Sequence, residues 1–561
     1  TLRSPVKFPP AAGDAHYISI ESRYNDCLTT LVALRISCWL PRMRSTRLYR
    51  ASALKKYQVA IIGSGPTGCY VADTLLKKHD NIHVDIFERL PVPFGLSRYG
   101  VAPDHPEVKN VENQFTAMIR NSAKCTYLGN VEIGRHLSVS ELVAAYSAVV
   151  VATGATDDNR LCIDGEFLEN VITARRFVNY YNTLPSPLAC STQCPFDLQR
   201  AKNIVIIGNG NVALDCARVL AAPYKHFCPT DMNCHAIREL MRSSVQHIDV
   251  IGRRGHHAAA FTTKELRELI GISGVRTGAE PFTLASAVQE AGDSRAKRRQ
   301  LELLHSIARP FESMDVQHPA SPHPSSSNGR SVYFRFGMKP HKLIGHRDRR
   351  VVAASFIVPD EDGNEKEAII PCDVVIKSLG FRSEGLRGVP FDEEKGVIPH
   401  GEGGRVLGMQ HTYCTGWVCN GAKGVIVNSM MAAKETANAI IDDIAQEKLP
   451  HNVPGKFGVL EQLADREVLP VMQKPLERIW QVERQRGIDL GKRLEKTPSV
   501  RDMLDLALGG RVGRRTANRI SGVAEGRPKG LELLEDWLDD DTRIADLSDP
   551  HRTNPELDIH L

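Results

Sequence analysis

Two glycine-rich turns, each set between an apolar strand-like run and a helix-like run, constrain this chain more than any other feature. The first is Gly63-Ser-Gly65-Pro66-Thr67-Gly68, after Val59-Ala-Ile-Ile62 and before Tyr70 to Lys78. The second is Gly208-Asn209-Gly210-Asn211-Val212-Ala213, after Ile204-Val-Ile-Ile207 and before Leu214 to Ala221. In that context glycines permit a tight turn and close backbone approach to a pyrophosphate, whose charge is held by N–H groups at a helix N-terminus. One copy is weak evidence. Two in the same context predict an α/β chain with two Rossmann-like dinucleotide-binding domains.

The residues downstream distinguish the two ligands. Glu88 closes the strand-like run Val84-Asp-Ile-Phe87, twenty residues after Gly68, where a carboxylate accepts hydrogen bonds from both hydroxyls of an adenosine ribose and repels a 2′-phosphate. In the second unit, Ile248-Asp-Val-Ile251 runs into Gly252-Arg253-Arg254, and paired guanidiniums suit a phosphate monoester by charge and geometry. FAD or NAD(H) is expected at the first site and NADP(H) at the second. A solvated strand end is the common fate of such charges, but both sets stand at the end of the second strand of a Rossmann unit.

Further segments bear on the first ligand. Arg89-Leu-Pro-Val-Pro-Phe-Gly-Leu96 follows Glu88 directly, then comes Tyr99-Gly-Val-Ala-Pro-Asp-His-Pro-Glu-Val-Lys-Asn110. Ala148-Val-Val-Val-Ala152 enters Thr153-Gly154, and far downstream Tyr413-Cys-Thr-Gly-Trp417 precedes Gly421-Ala-Lys-Gly424-Val425-Ile426 and a helix-like stretch to Ile444. With Gly252-Arg-Arg-Gly255 and Phe261-Thr-Thr-Lys-Glu-Leu-Arg267, these runs resemble the adrenodoxin reductase family, mitochondrial-type ferredoxin-NADP reductases containing FAD, from about Tyr57 to about Leu506. The resemblance implies a glutathione-reductase-like fold with the NADP domain inserted in the FAD domain. It assigns Thr67, Glu88, Leu96, Val131, Trp417 and Gly424 to Ile426 to FAD, and Asn209 to Val212, Arg253, Arg254, Glu265 and again Gly424 to NADP. Thr67 departs from the family's usual Ala, and Lys225 to Val245 reads as an insertion that could alter access to the NADP domain.

The order of these pieces divides the chain. Residues 57–160 form the first part of the FAD domain, 161–380 the NADP domain and 381–506 the second part of the FAD domain. Thr153-Gly-Ala-Thr156 and Ser378-Leu-Gly-Phe-Arg382 are the expected crossings. Pro319 to Gly329 is a Pro/Ser-rich loop. Residues 507–561 carry no readable motif, and the acidic run Glu535 to Asp541 reads as a solvated face.

Composition limits the function classes. The formal charge of +5 sits in the N-terminus, where residues 1–56 hold ten Lys/Arg against three Asp/Glu. The remaining body is near neutral and lacks the basic face of a nucleic-acid binder. Between Arg35 and Lys56 seven Lys/Arg stand without an acid, among hydroxylated and apolar residues. That pattern resembles a mitochondrial transit peptide and predicts the matrix as destination, with a disordered tail as the alternative. Leu28 to Leu40 is broken by Arg35 and is too short to span a bilayer, so no membrane span is expected, although peripheral inner-membrane association is compatible. Thirteen scattered cysteines include no C-x-x-C, which favours neither zinc nor a redox dithiol. Cys414 and Cys419 read as ordinary thiols, and no metal is expected.

The chemistry implied is largely the cofactors' own: a hydride passes from nicotinamide to flavin, which releases two electrons singly to a one-electron acceptor. His105, Asp215 and Glu265 are the polar residues expected near the rings and are the candidate catalytic groups. No side chain must act as a nucleophile. The resemblance implies a [2Fe-2S] ferredoxin as acceptor, serving cytochrome P450 or iron-sulfur cluster pathways. Arg295, Lys297, Arg298 and Arg299, within Ser294-Arg-Ala-Lys-Arg-Arg299, are the expected docking cations, and a solvated helix face is the competing reading. Three other functions share the two fingerprints: a disulfide or quinone reductase, an electron-input module like the small subunit of glutamate synthase, and a non-catalytic cofactor-binding protein. The disulfide version of the first loses support from the missing dithiol, and the second from the missing cluster cysteines.

Overall fold

The computed structural model describes residues 55–185, 192–313, 329–346, 349–360, 363–422, 424 and 426–509. The N-terminal basic segment up to residue 54, the Pro/Ser-rich run before Gly329, Val425 and everything beyond residue 509 lie outside the described residues.

The apolar runs form two parallel sheets. In the first, the spatial order is Thr412–Cys414, Ala148–Val151, Tyr57–Ile62, Ile82–Phe87 and Cys125–Leu128. These strands are apolar at nearly every position because both faces are covered, as parallel sheets require. Alternate residues of one strand serve two cores. Val59 and Ile61 pack with Leu75 and Ile440 on one side, whereas Ala60 and Ile62 pack with Leu142 and Val459 on the other.

The second sheet runs Val171–Thr173, Val374–Lys377, Asn203–Ile207, His247–Ile251, Arg330–Arg335 and Val275–Ala279, again all parallel. Ile204 and Ile206 face a helical core. Val205 and Ile207 face Ala354 and Phe356 of an antiparallel sheet, Lys339–Gly345, Val351–Pro359 and Glu365–Pro371. All these strands fall in sequence between Ala148–Val151 and Thr412–Cys414 of the first sheet. The two connections lie side by side, where Asp157–Asp158 pairs antiparallel with Phe381–Arg382.

The segment from Lys225 to Val245 contributes a helix, Cys234–Met241, and a buried tie to the first sheet's side of the molecule. Asp231 accepts two bonds of 2.7 Å from Lys109 Nζ and lies 3.1 Å from Lys496 Nζ. Asn233 exchanges bonds of 2.7 and 3.0 Å with the Lys496 backbone. This stretch therefore braces one half of the molecule against the other, and removing one partner of such a buried pair costs about 3 to 5 kcal/mol.

Candidate functional site

The first turn is shaped by three glycines with three different demands. Gly63 has φ +105°, and a Cβ there would fall 2.6 Å from the Ala152 carbonyl oxygen. At Gly68 a Cβ would fall 2.0 Å from the Gly63 oxygen, whereas at Gly65 it would meet nothing within 4 Å. The helix Pro66–Lys78 starts here with Pro66 in its first turn and no side chain capping it, so its N-terminal dipole faces that open space. Glu88 is pinned alongside: Oε2 accepts from the Ser64 N–H at 3.1 Å and the Ser64 hydroxyl at 2.7 Å. Its Oε1 accepts from the Leu90 N–H at 3.1 Å.

The remaining residues expected at this ligand surround the same turn in part. Phe94, at φ 88°, donates its N–H to the Ser64 oxygen at 3.0 Å, which folds the Val-Pro-Phe-Gly-Leu run over the turn and leaves Leu96 exposed. Buried Val131 donates its N–H to the Glu88 oxygen at 2.8 Å. Thr67 presses on the downstream segment, since a Cβ on Gly416 would lie 2.7 Å from its Oγ1. Trp417 follows and stacks on Phe381 at 5.7 Å between centroids. Gly424 is exposed with φ +93°, just before the helix Ile426–Ala445.

The second turn repeats the construction. Gly208 has φ +115° and a Cβ there would meet the Ser378 oxygen at 2.1 Å, while Gly210 again faces nothing within 4 Å. Helix Asn211–Ala221 begins without a side-chain cap. Asn211 Oδ1 accepts the Thr262 N–H at 2.8 Å, Asn209 lies against Gly252, and Val212 packs on the core. Arg253 and Arg254 are both exposed on the turn after His247–Ile251. Among the four basic residues of helix Arg295–Ser306, Arg295, Arg298 and Arg299 are exposed. Lys297 is half-buried and donates to the Ala259 carbonyl, and burial, then the charge of Arg254, lower its pKa.

His105, Asp215 and Glu265 come together where the two halves meet. His105 is buried, with Nε2 2.9 Å from Glu268 Oε2 and 3.9 Å from Glu265 Oε2. At the centre is Arg218, which the sequence reading did not single out. Its guanidinium reaches Asp104 at 2.7 and 3.2 Å, Asp215 at 2.7 Å and Glu265 at 3.0 Å. One signal was available: Asp215 and Arg218 stand one turn apart on an otherwise apolar helix, and buried charges of that kind are paired. Burial, against the pull of Arg218 and with Glu265 adding repulsion, pushes the Asp215 carboxyl up to about 6. Asp104 goes the other way: burial would raise it, but the hydrogen bond from His226 and the Arg218 guanidinium hold it well below the usual carboxylate range. Ligand atoms of His105, Glu265 and Glu268 lie within 4.8 Å of one another, a spacing a metal could use, but Arg218 already supplies a cation to Glu265.

Cys414 and Cys419 are both buried. The hydrogen bond from Cys419, then burial, push the Cys414 thiol well above its ordinary value, the signature of an unreactive core thiol. No helix among the described residues is long and apolar enough to cross a membrane.

Two uncapped helix N-termini, each behind a glycine turn that leaves open space, define a dinucleotide-dependent oxidoreductase. A family described as pyridine nucleotide-disulphide oxidoreductase matches residues 57–273. The mouse (Mus musculus) mitochondrial NADPH:adrenodoxin oxidoreductase is 39% identical, over 81% of this chain and 92% of that protein. The Arabidopsis thaliana protein of the same name is 36% identical, over 84% and 100%. Among solved structures, Mycobacterium tuberculosis FprA in complex with NADPH superposes with a TM-score of 0.71 at 32% identity, over 81% of this chain and 100% of that one. The chain belongs to the NADPH:adrenodoxin oxidoreductase family.

Proposed function

We propose that the first cradle holds FAD, the second takes NADPH, and the enzyme passes electrons onward to a [2Fe-2S] ferredoxin. The observation that carries this is the pair of glycines, Gly65 and Gly210, whose missing side chains leave open space at two uncapped helix N-termini. The flanking charges are opposite in sign. A carboxylate held beside the first cradle fits a ribose diol, and two guanidiniums beside the second fit a 2′-phosphate. The domain division follows: 57–160 and 381–506 for FAD, with 161–380 for NADP between them.

When bound, the two cofactors supply hydride and single-electron transfer. The chain's own residues bind and orient. Thr67, Glu88, Leu96, Val131, Trp417 and Gly424 to Ile426 would hold the flavin nucleotide, and Asn209 to Val212, Arg253, Arg254, Glu265 and again Gly424 the nicotinamide nucleotide. His105, Asp215 and Glu265 would keep a polar, proton-exchanging wall between the two halves. Arg295, Arg298 and Arg299 would face an acidic ferredoxin. The mitochondrial names of relatives and the acid-free basic stretch before residue 57 support a matrix enzyme feeding cytochrome P450 or iron-sulfur cluster pathways.

The test is to purify the full chain, record its flavin spectrum, and follow cytochrome c reduction with NADPH or NADH, with and without a [2Fe-2S] ferredoxin. Reduction that needs both NADPH and ferredoxin is expected. Reduction of cytochrome c at full rate without ferredoxin, or no flavin, overturns the reading. Reversing Arg295 and Arg299 to Glu should lower the ferredoxin-dependent rate and flatten its salt dependence, with NADPH reduction of ferricyanide nearly unchanged.

A further inference from the structure

We propose that Arg218 is the positioning residue that fixes the nicotinamide-side cradle against the flavin side. The inference rests on the reading above and assigns a role to a residue that touches neither cofactor cradle directly. Arg218 belongs to helix Asn211–Ala221, whose first turn is the second cradle. Its side chain is 2% exposed, and it joins residues of both halves. Asp104 comes from the loop between the helices Gly95–Tyr99 and Pro106–Lys109, downstream of strand Ile82–Phe87, while Asp215 lies one turn away on the same helix and Glu265 on helix Thr263–Ile270.

The geometry of that join is specific to a guanidinium. Nε and one Nη go to the two oxygens of Asp104 at 2.7 and 3.2 Å, a forked pair, and the same Nη also reaches Asp215 at 2.7 Å. The other Nη takes Glu265 at 3.0 Å. A lysine carries the charge but cannot hold three carboxylates in fixed directions. Arg218 also draws Glu265 toward itself, which leaves His105 paired with Glu268 at 2.9 Å and 3.9 Å from Glu265. The cradle helix, the flavin-side loop and helix Thr263–Ile270 are thus joined by one planar group. Hydride transfer depends on the reacting atoms being held at close range, and a displacement of about 1 Å can cost roughly 100-fold. Nucleotide affinity, in contrast, comes mainly from the cradle and from Arg253 and Arg254; of the residues assigned to NADP, Arg218 bonds Glu265, whose carboxylate the Arg218 variants keep.

The predicted signature is a split between rate and affinity. In Arg218→Lys the dissociation constant for NADP⁺, measured by titration, should change by less than about threefold, whereas single-turnover flavin reduction by NADPH should slow by about tenfold to 100-fold. Asp104→Asn, which weakens the flavin-side end together with its His226 contact and leaves Arg218 two carboxylates, should slow the same step without altering NADP⁺ affinity. It serves as the readout if the Arg218 variants fail to fold. Equal losses of affinity and rate in these variants, or no change in rate, would overturn the proposal. A wild-type protein that NADPH does not reduce at all would instead refute the proposed function, so the two failures are distinguishable.

Discussion

The two cradles are built to one plan and finished differently. In both, the first glycine is left-handed and backed by a carbonyl from a neighbouring strand end, and the second opens onto empty space. The third position separates them. At Gly68 a Cβ would lie 2.0 Å from the Gly63 oxygen, while the second cradle carries Ala213 at the same place, fully buried and accommodated. The next turn of helix separates them further. Where the second helix has Asp215 and Arg218 in the polar cluster, the first has Tyr70, edge-on to Phe115, and Asp73, paired with Lys77 near the surface. The carboxylate beside the first cradle is held by three hydrogen bonds, whereas the arginines beside the second are exposed. The first cradle's flanking carboxylate is fixed in place, which suits a resident group. The second cradle's arginines are open to solvent, as suits a site for an exchanging substrate.

The largest expected difference is in tolerance at the third position. Gly68→Ala forces backbone to move against backbone and should cost about 3 kcal/mol or more, visible as a large fall in melting temperature. Ala213→Gly loses helix propensity, about 0.5 to 1 kcal/mol, and one buried methyl, about 1 kcal/mol. Similar melting temperatures for the two variants would show that the cradles do not differ in tightness.

The second positions should separate ligand from fold. Gly65 has φ −67° and Gly210 φ −86°, both comfortable for alanine, and an added methyl meets no protein atom within 4 Å. Gly65→Ala should therefore melt like the wild type yet purify with little flavin, and Gly210→Ala should keep its flavin but bind NADP⁺ about tenfold or more weakly, since overpacking costs about 1 to 3 kcal/mol. Full flavin in the first variant would show that the open space is not where the pyrophosphate lies.

The charges beside each cradle give a smaller effect of opposite kind. Neutralising Arg253 and Arg254 removes charge-assisted bonds worth about 1.5 to 3 kcal/mol each, so KM for NADPH should rise roughly tenfold or more while KM for NADH barely moves. Equal rises would break the assignment. Glu88→Gln should lower flavin retention and leave the NADPH/NADH preference alone.

Much of this comparison was legible in the sequence because it depends on local pattern. The glycine spacing, the apolar runs and the charges at strand ends are contiguous signals, and the helices extend earlier than the apolar pattern did only because Pro66, Thr67, Asn211 and Val212 belong to their first turns. What was not legible is long-range pairing. Arg218 reads as one more helical arginine until the fold brings Asp104 and Glu265 to it from distant segments. Lys297 reads as one of four equivalent cations in a cluster, yet helix phase turns it inward to the Ala259 carbonyl. The stretch from Lys225 to Val245 reads as an addition, and only the positions of Lys109 and Lys496 make Asp231 a brace.

The smallest effect concerns pH and should belong to the second cradle alone. Asp215 is a carboxyl whose folded value is raised, from 3.8 to about 6. The folded state therefore binds more protons than the unfolded chain between those values, and the stability tied to this group, fully present below about pH 4, is lost as pH rises through 6. Asp215→Asn cannot titrate. Its stability relative to wild type should climb between pH 4 and 6.5 and then level, by an amount on the order of 1 to 3 kcal/mol. Asp104 works in the opposite sense in a lower window, since its lowered value ties stability to pH above about 4, and subtracting the two curves removes most of its contribution. Tyr70, the matching residue on the first helix, is raised further above 10 by burial, so Tyr70→Phe should give a difference curve that is flat from pH 4 to 8. A flat curve for Asp215→Asn as well would mean that the cluster around Arg218 keeps Asp215 ionised throughout, and the two helices would then be alike in their response to protons.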